Sequence, residues 1–184
     1  MKVELPGHTK SFGAINPGEC FTFTGLSAAS VGMKVEWLGA AAIAVLWSAS
    51  HDWTVPQLIA PTTLSGSSIQ SLPSAVFIAS ANPMDIRAGA SREDYAPGFL
   101  IKTRDDQMLI AVKSLGGKHG ISVIDVETGR LDGITSDNLT FFTSWRIAAK
   151  VLDKYETVCS SQMRKGTKNG LVRTRYGAPV NSAE

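Results

Sequence analysis

The sequence predicts a mainly β protein: two pseudo-repeated small antiparallel β modules, each a sandwich or partly closed barrel, then a C-terminal helix or strand and an extended basic tail. Three observations predict it. Apolar and polar residues alternate in several short stretches. Signals built on glycine, proline and asparagine punctuate those stretches. One layout of strand and turn recurs later in the chain, with Gly32 falling on Gly98 and Ile43 on Ile110, offsets of 66 and 67 residues.

The elements follow in chain order. "LPGHTKSFGAINPGECFTFTG" sets two turn signals before a strand from Glu19 to Thr24, in which Phe21 and Phe23 share a face. In "GMKVEWLGAAAIAVLW", Met33, Val35 and Trp37 alternate with Lys34 and Glu36, and Leu38-Gly39-Ala40 offers a turn. "AIAVLW" then runs apolar, as a strand buried on both faces does. The alanines also favour helix, but the second copy decides for strand. "GFLIKTRDDQMLIAVKSL" has the same order of glycine, alternating strand, turn at Arg104-Asp105-Asp106, and apolar strand. Upstream, "CFTFTG" matches "VFIASA", and downstream "PQLIAPTTLSG" falls against "ISVIDVETGRLDG". The expected modules are residues 12–72 and 73–142.

In "VIDVETGRLDGI", a strand enters "ETG", where Gly129 can take positive φ without a steric cost, and Arg130 starts the return strand. Asp125 and Glu127, two apart, then lie on one strand face. Paired carboxylates can bind a cation or serve acid and base chemistry, but without a third ligand they read as the solvated face beside a turn. Residues 143–160, "TSWRIAAKVLDKYETVC" and the serine after it, carry both periods. Trp145, Ala148, Leu152 and Tyr155 form a helical stripe, while Trp145, Ile147, Ala149 and Val151 alternate as a strand. The persistence of the pattern over about four turns favours the helix.

At 184 residues with 43% apolar and 18% charged side chains, the chain has a globular composition and suits one domain or two small ones. The longest mostly apolar run, Leu38 to Trp47, is shorter than the roughly 18 to 20 residues of a membrane span, and "MKVELPGHTK" lacks the apolar core of a signal peptide. The expectation is a protein without a membrane partner, cytoplasmic or incorporated in a virion. Cys20 and Cys159 fit neither a disulfide framework nor a zinc knuckle.

Charge is uneven. Residues 161–184 hold five basic side chains against one acidic, a net of +4, which leaves −2 for the rest of a chain whose formal charge is +2. This segment, "SQMRKGTKNGLVRTRYGAPVNSAE", is too polar to fold by itself and is expected to order only against a partner. Arg164, Lys165, Lys168, Arg173, Arg175 and Tyr176 are therefore the candidate residues for assembly or phosphate contact.

Other motifs read as architecture. "SLGGKHGIS" offers backbone amides, with Lys118 and His119, but lacks the spacing of a phosphate loop and leads into a strand. His51-Asp52 resembles the His-Asp pair of metal-dependent phosphohydrolases, yet the chain has three histidines and places the pair in a Ser- and Pro-bounded loop. Cys20 with His51 or His119 is the available thiol pair, but a reactive thiol needs an electropositive setting. "TTLSGSSIQS" has no GxSxG elbow. Trp37, Trp47, Trp53 and Trp145 are expected to pack rather than stack on bases, because base-stacking aromatics interleave with basic residues on an exposed face.

"PGECFTF" followed by "IDVETGRL" resembles, in pattern, small β proteins of bacteriophage and mobile-element genomes. The resemblance covers two short stretches and carries no functional residue. The leading expectation is a non-enzymatic structural or interaction protein, a homo-oligomeric subunit of a symmetric assembly such as a phage particle, with no cofactor. The alternatives are a nucleic-acid-binding β module using the tail, and an enzyme of unrecognised type in which Cys20, His51, His119, Asp125 and Glu127 converge.

Overall fold

The computed structural model describes residues 9–24, 29–48, 55–64, 67–72, 74–90, 94–115, 120–132, 138–151, 154–163 and 174–177, of which 151, 162–163 and 174–177 are described by backbone alone. The strands are β1 (Cys20–Phe23), β2 (Ser30–Trp37), β3 (Ala40–Ser48), β4 (Gln57–Ile59), β5 (Ile69–Leu72), β6 (Val76–Ala79) and β7 (Ile86–Ala90). They continue with β8 (Leu100–Lys102), β9 (Met108–Lys113), β10 (Ile121–Asp125), β11 (Leu139–Phe142), β12 (Ser144–Val151), β13 (Lys154–Met163) and β14 (Thr174–Gly177). Short 3-10 turns occupy Phe12–Ala14, Pro61–Leu64 and Pro83–Asp85.

Among the described residues two sheets result, and neither closes into a barrel. The larger has the order β5-β1-β2-β3-β4-β9-β8-β11-β7, with β10 also on β9; the smaller is β14-β13-β12-β6. The larger sheet is two five-stranded halves, since β4 meets β9 in parallel at one residue pair, Gln57 opposite Lys113. The hairpins behave as their turn residues require. Leu38 and Gly39 both have positive φ (50° and 77°), the two-residue turn whose twist matches the strands. Asp106, at φ 64°, closes the Arg104-Asp105-Asp106 loop, with Thr103 N–H donating to Gln107 O at 3.0 Å.

The proposed copies share a three-stranded meander. Lys34, Ile43 and Ile59 lie in one row of β2-β3-β4, and Leu100, Ile110 and Ile124 lie in the equivalent row of β8-β9-β10. The correspondence stops there. β1 pairs β2, whereas β6, which carries the matching "VFIA", lies against β12 in the other sheet. The faces also invert: Ile43 packs with Phe21 and Phe23 on the outer side, while Ile110 faces the shared core with Leu100 and Ile124. A period of two records that a strand has two faces, not which face meets which layer.

That shared core lies between the sheets. Met33, Val35, Ala44 and Leu46 of one half and Leu100, Ile110 and Val112 of the other pack against Trp145, Ile147, Ala149 and Cys159 of the smaller sheet. Each half has a second, outer cluster: Phe21, Phe23, Ile43 and Val45 in the first, and Phe99, Ile101, Leu109 and Phe141 in the second. β3 and β9 are therefore buried on both faces, which explains their unbroken apolar runs.

The favoured helix over 143–160 is corrected. Ser144–Val151 and Lys154–Met163 are antiparallel strands, Trp145 opposite Ser161 and Lys150 opposite Tyr155. The two-residue period wins because Trp145, Ile147 and Ala149 put one face into the shared core. β13 also runs through 161–163, into the stretch expected to be tail, and Ser161 is fully buried.

Candidate functional site

The sequence-predicted tail residues divide into two groups. Arg175 and Tyr176 stand on β14, opposite Gln162 and Ser161 of β13. Arg164, Lys165, Lys168 and Arg173 lie outside the described residues. The C-terminal segment thus contributes an edge strand to the smaller sheet, reached from β13 across residues 164–173.

A second feature was not visible in sequence: a cleft of about 590 Å³ at the junction of the two halves and the smaller sheet. Glu19, Cys20 and Leu72 contribute to it from the first half, Met108, Val126 and Glu127 from the second, and Ala75, Val76 and Phe77 from the start of β6. Two glycine turns build its rim. Gly18 N–H donates to Lys34 O at 2.8 Å, and Glu36 N–H donates to Gly129 O at 2.8 Å, so both turns dock on β2. Gly18 and Gly129 have φ of 84° and 65°. They also touch: a methyl on Gly18 would run into the Glu127 carbonyl, and one on Gly129 would run into the Gly18 backbone and come within 2.7 Å of Lys34 O. The only sequence signals for this junction are "NPG" and "ETG", each legible as a turn but not as partners.

Asp125 ends β10, and its carboxylate folds back onto its own turn. Oδ1 accepts the backbone N–H of Glu127 at 2.9 Å and of Thr128 at 2.7 Å. Oδ2 accepts from Gln107 Nε2 at 2.7 Å, and the same amide donates to Asp132 Oδ2 at 2.7 Å. Burial acts to raise the Asp125 pKa, but the bonds from Thr128, Gln107 and Glu127 outweigh it and hold the carboxyl below its ordinary value. The expected pair on one strand face does not form, because the strand stops at Asp125 and Glu127 lies exposed in the turn.

Glu19 is anchored in the same way. Lys10 Nζ donates to it at 3.0 Å, Ser71 Oγ donates to the same oxygen, and Asn16 N–H donates to the other at 3.2 Å. Burial again acts upward, and these bonds together with the Lys10 charge bring the pKa below the ordinary value. Beside it, the Cys20 thiol is pushed up to about 12 by burial and by the Glu19 charge. Cys159 is raised too, by burial and by Cys20. Cys20 is a protonated core thiol at neutral pH, not an activated nucleophile.

Of the five residues named for an enzyme, Cys20 and Glu127 line the cleft, Asp125 is bonded to the backbone of its own turn, and His51 and His119 lie outside the described residues. Lys118 and Trp53 do as well. Among the described residues no group of three or more His, Cys, Asp or Glu could hold a metal ion, and no helix is long and apolar enough to cross a membrane. Trp37 and Trp47 pack against the shared core, and Trp145 is inside it, its Nε1 donating to Gly98 O at 2.8 Å.

These features define a class by architecture: a mainly β protein with two packed sheets, a terminal edge strand and a cleft at their junction. In comparisons with known proteins, no family model, no curated protein and no solved structure matches the chain.

Proposed function

We propose that the protein is a non-enzymatic structural subunit of a symmetric homo-oligomeric assembly, of the kind found in bacteriophage particles, whose C-terminal segment joins neighbouring copies. The observation that carries this reading is β14: a terminal strand at a sheet edge, reached across ten residues, 164–173, that include four cations. Exchange of an identical element between copies is a low-cost route from monomer to oligomer, and a short strand paired on one side only is an element that can be shared in this way. The cleft chemistry agrees, since its Cys20 thiol is protonated and its Glu19 carboxylate is committed to internal bonds.

The test is native mass by light scattering for the full-length chain and for a form ending at Met163, which keeps β13 whole. A defined oligomer that the shortened form cannot build supports the arm. The same number of chains in both overturns it. A second reading rests on these cations together with Arg175, as sequence-independent contacts to nucleic-acid phosphates. It predicts affinity that falls steeply with salt and is lost when Arg173 and Arg175 become Ala.

A further inference from the structure

A sheet edge exposes unpaired N–H and C=O groups, and proteins protect such edges with charge, proline, bulges or covering chain. In the larger sheet, the edges carry these devices. β5 is bridged by Thr9, and Lys10 N–H donates to Ile69 O at 3.2 Å. β7 carries Arg87, a positive-φ Gly89, and a register shift opposite Leu139 and Thr140. β10 is covered by the return of its own chain, Leu131 bridging Ile124 and Asp132 N–H donating to Val123 O at 2.9 Å.

Among the described residues, β6 has none of them. Its sequence, Val-Phe-Ile-Ala, holds no charge and no proline, its ladder to β12 has no register shift, and Val76 is 38% exposed. Ser80 N–H donates to Ser144 O at 2.9 Å, and Ala79 lies opposite Trp145. By the alternation of an antiparallel ladder, Ile78 and Val76 also bond to β12, while the N–H and C=O of Phe77 and Ala79 point away from it. Among the described residues those outward groups have no strand partner. They stand beside the cleft, where Glu127 is exposed.

We infer that β6 is a strand-accepting edge, and that its occupant is β14 of a second copy, so that the smaller sheet runs on from one subunit to the next. Three facts select this occupant. β14 and β6 are the two opposite edges of one sheet, they are each four residues long, and the acceptor side presents acid where the donor segment brings Arg173 and Arg175. The contact is heterologous, different surfaces meeting on the two copies, so it builds a ring or an open filament rather than a closed pair. This inference rests on the assembly reading above.

Native mass by light scattering tests it on three full-length chains: wild type, Ala79→Pro and Val76→Lys, each checked for its β signal by far-ultraviolet circular dichroism. Proline at 79 removes an outward N–H while sparing the ladder to β12; lysine at 76 adds the missing edge charge, and reads the edge if the proline variant does not fold. The expected result is an assembled wild type and folded variants with the 19.6 kDa mass of one chain. An assembled wild type with equally assembled, folded variants overturns β6 as the acceptor and leaves the assembly reading standing. A wild type that is monomeric at every concentration overturns both.

Discussion

Asp125 shows how one residue can look functional and act structurally. Its two carboxylate oxygens are used by two backbone N–H groups and the Gln107 amide, so Asp125→Ala removes three part-buried hydrogen bonds to a charged acceptor and should cost about 1–3 kcal/mol. Asp125→Asn keeps one accepting oxygen but sets its amide against that of Gln107, and should cost less; chemical denaturation of the two variants checks the order. Asp125 and Glu19 also set the acid response. Both have folded pKa values below the ordinary 3.8 and 4.5, so the unfolded chain binds protons first as pH falls. Their stabilisation is present above those ordinary values and is lost as pH drops through the lower folded ones. Melting temperature measured from pH 6 to pH 2 should fall across that window, and Asp125→Asn should flatten the fall. Gly129→Ala, which meets backbone on two sides at positive φ, should cost about 2–4 kcal/mol, far more than Gly39→Ala, where a methyl meets nothing within 4 Å. The turn at Gly129 was legible from "ETG". The contact with Gly18 was not, because turn chemistry fixes local φ and carries no record of the distant backbone that presses on it.

At the scale of elements, the hairpins were the most legible part, since their signals are local. Leu38 is an exception within one: a leucine at φ 50°, 76% exposed, where the turn favours Asn or Gly. Leu38→Asn should therefore stabilise the chain by about 1 kcal/mol, read as a shift in denaturation midpoint without a change in slope. Over 143–160 the sequence leaves helix and strand both open and favours helix, because Trp145, Ala148, Leu152 and Tyr155 satisfy a period of 3.6 as well as the alternative satisfies two. What decides between them is a tertiary fact, the sheet waiting on either side of β12. Trp145 ties the β12-β13 hairpin to the rest through its bond to the Gly98 carbonyl and its packing on Phe77, ring centroids 5.6 Å apart. Trp145→Phe removes that bond and some volume, and should cost about 2–3 kcal/mol in denaturation.

For the whole molecule, the class was legible: mainly β, with central strands whose unbroken apolar runs announced burial on both faces. The arrangement of two halves under a separate smaller sheet was not, because a strand's pattern names its faces and leaves its neighbours open. The matching of "CFTFTG" with "VFIASA" shows the limit, for equal patterns went to different sheets. In the segment expected to be tail, residues 174–177 pair with β13 of the same chain, a pairing that the polar composition of the segment did not announce. The proposed joining of copies by this segment is open to a direct test. The most direct measurement is the light-scattering mass of the full-length protein, with absorbance at 260 and 280 nm recorded on the same peak at low and high salt. Joined copies give a defined multiple of 19.6 kDa with the absorbance ratio of protein alone at both salts. A single-chain mass, carrying nucleic acid that high salt strips away, would contradict it.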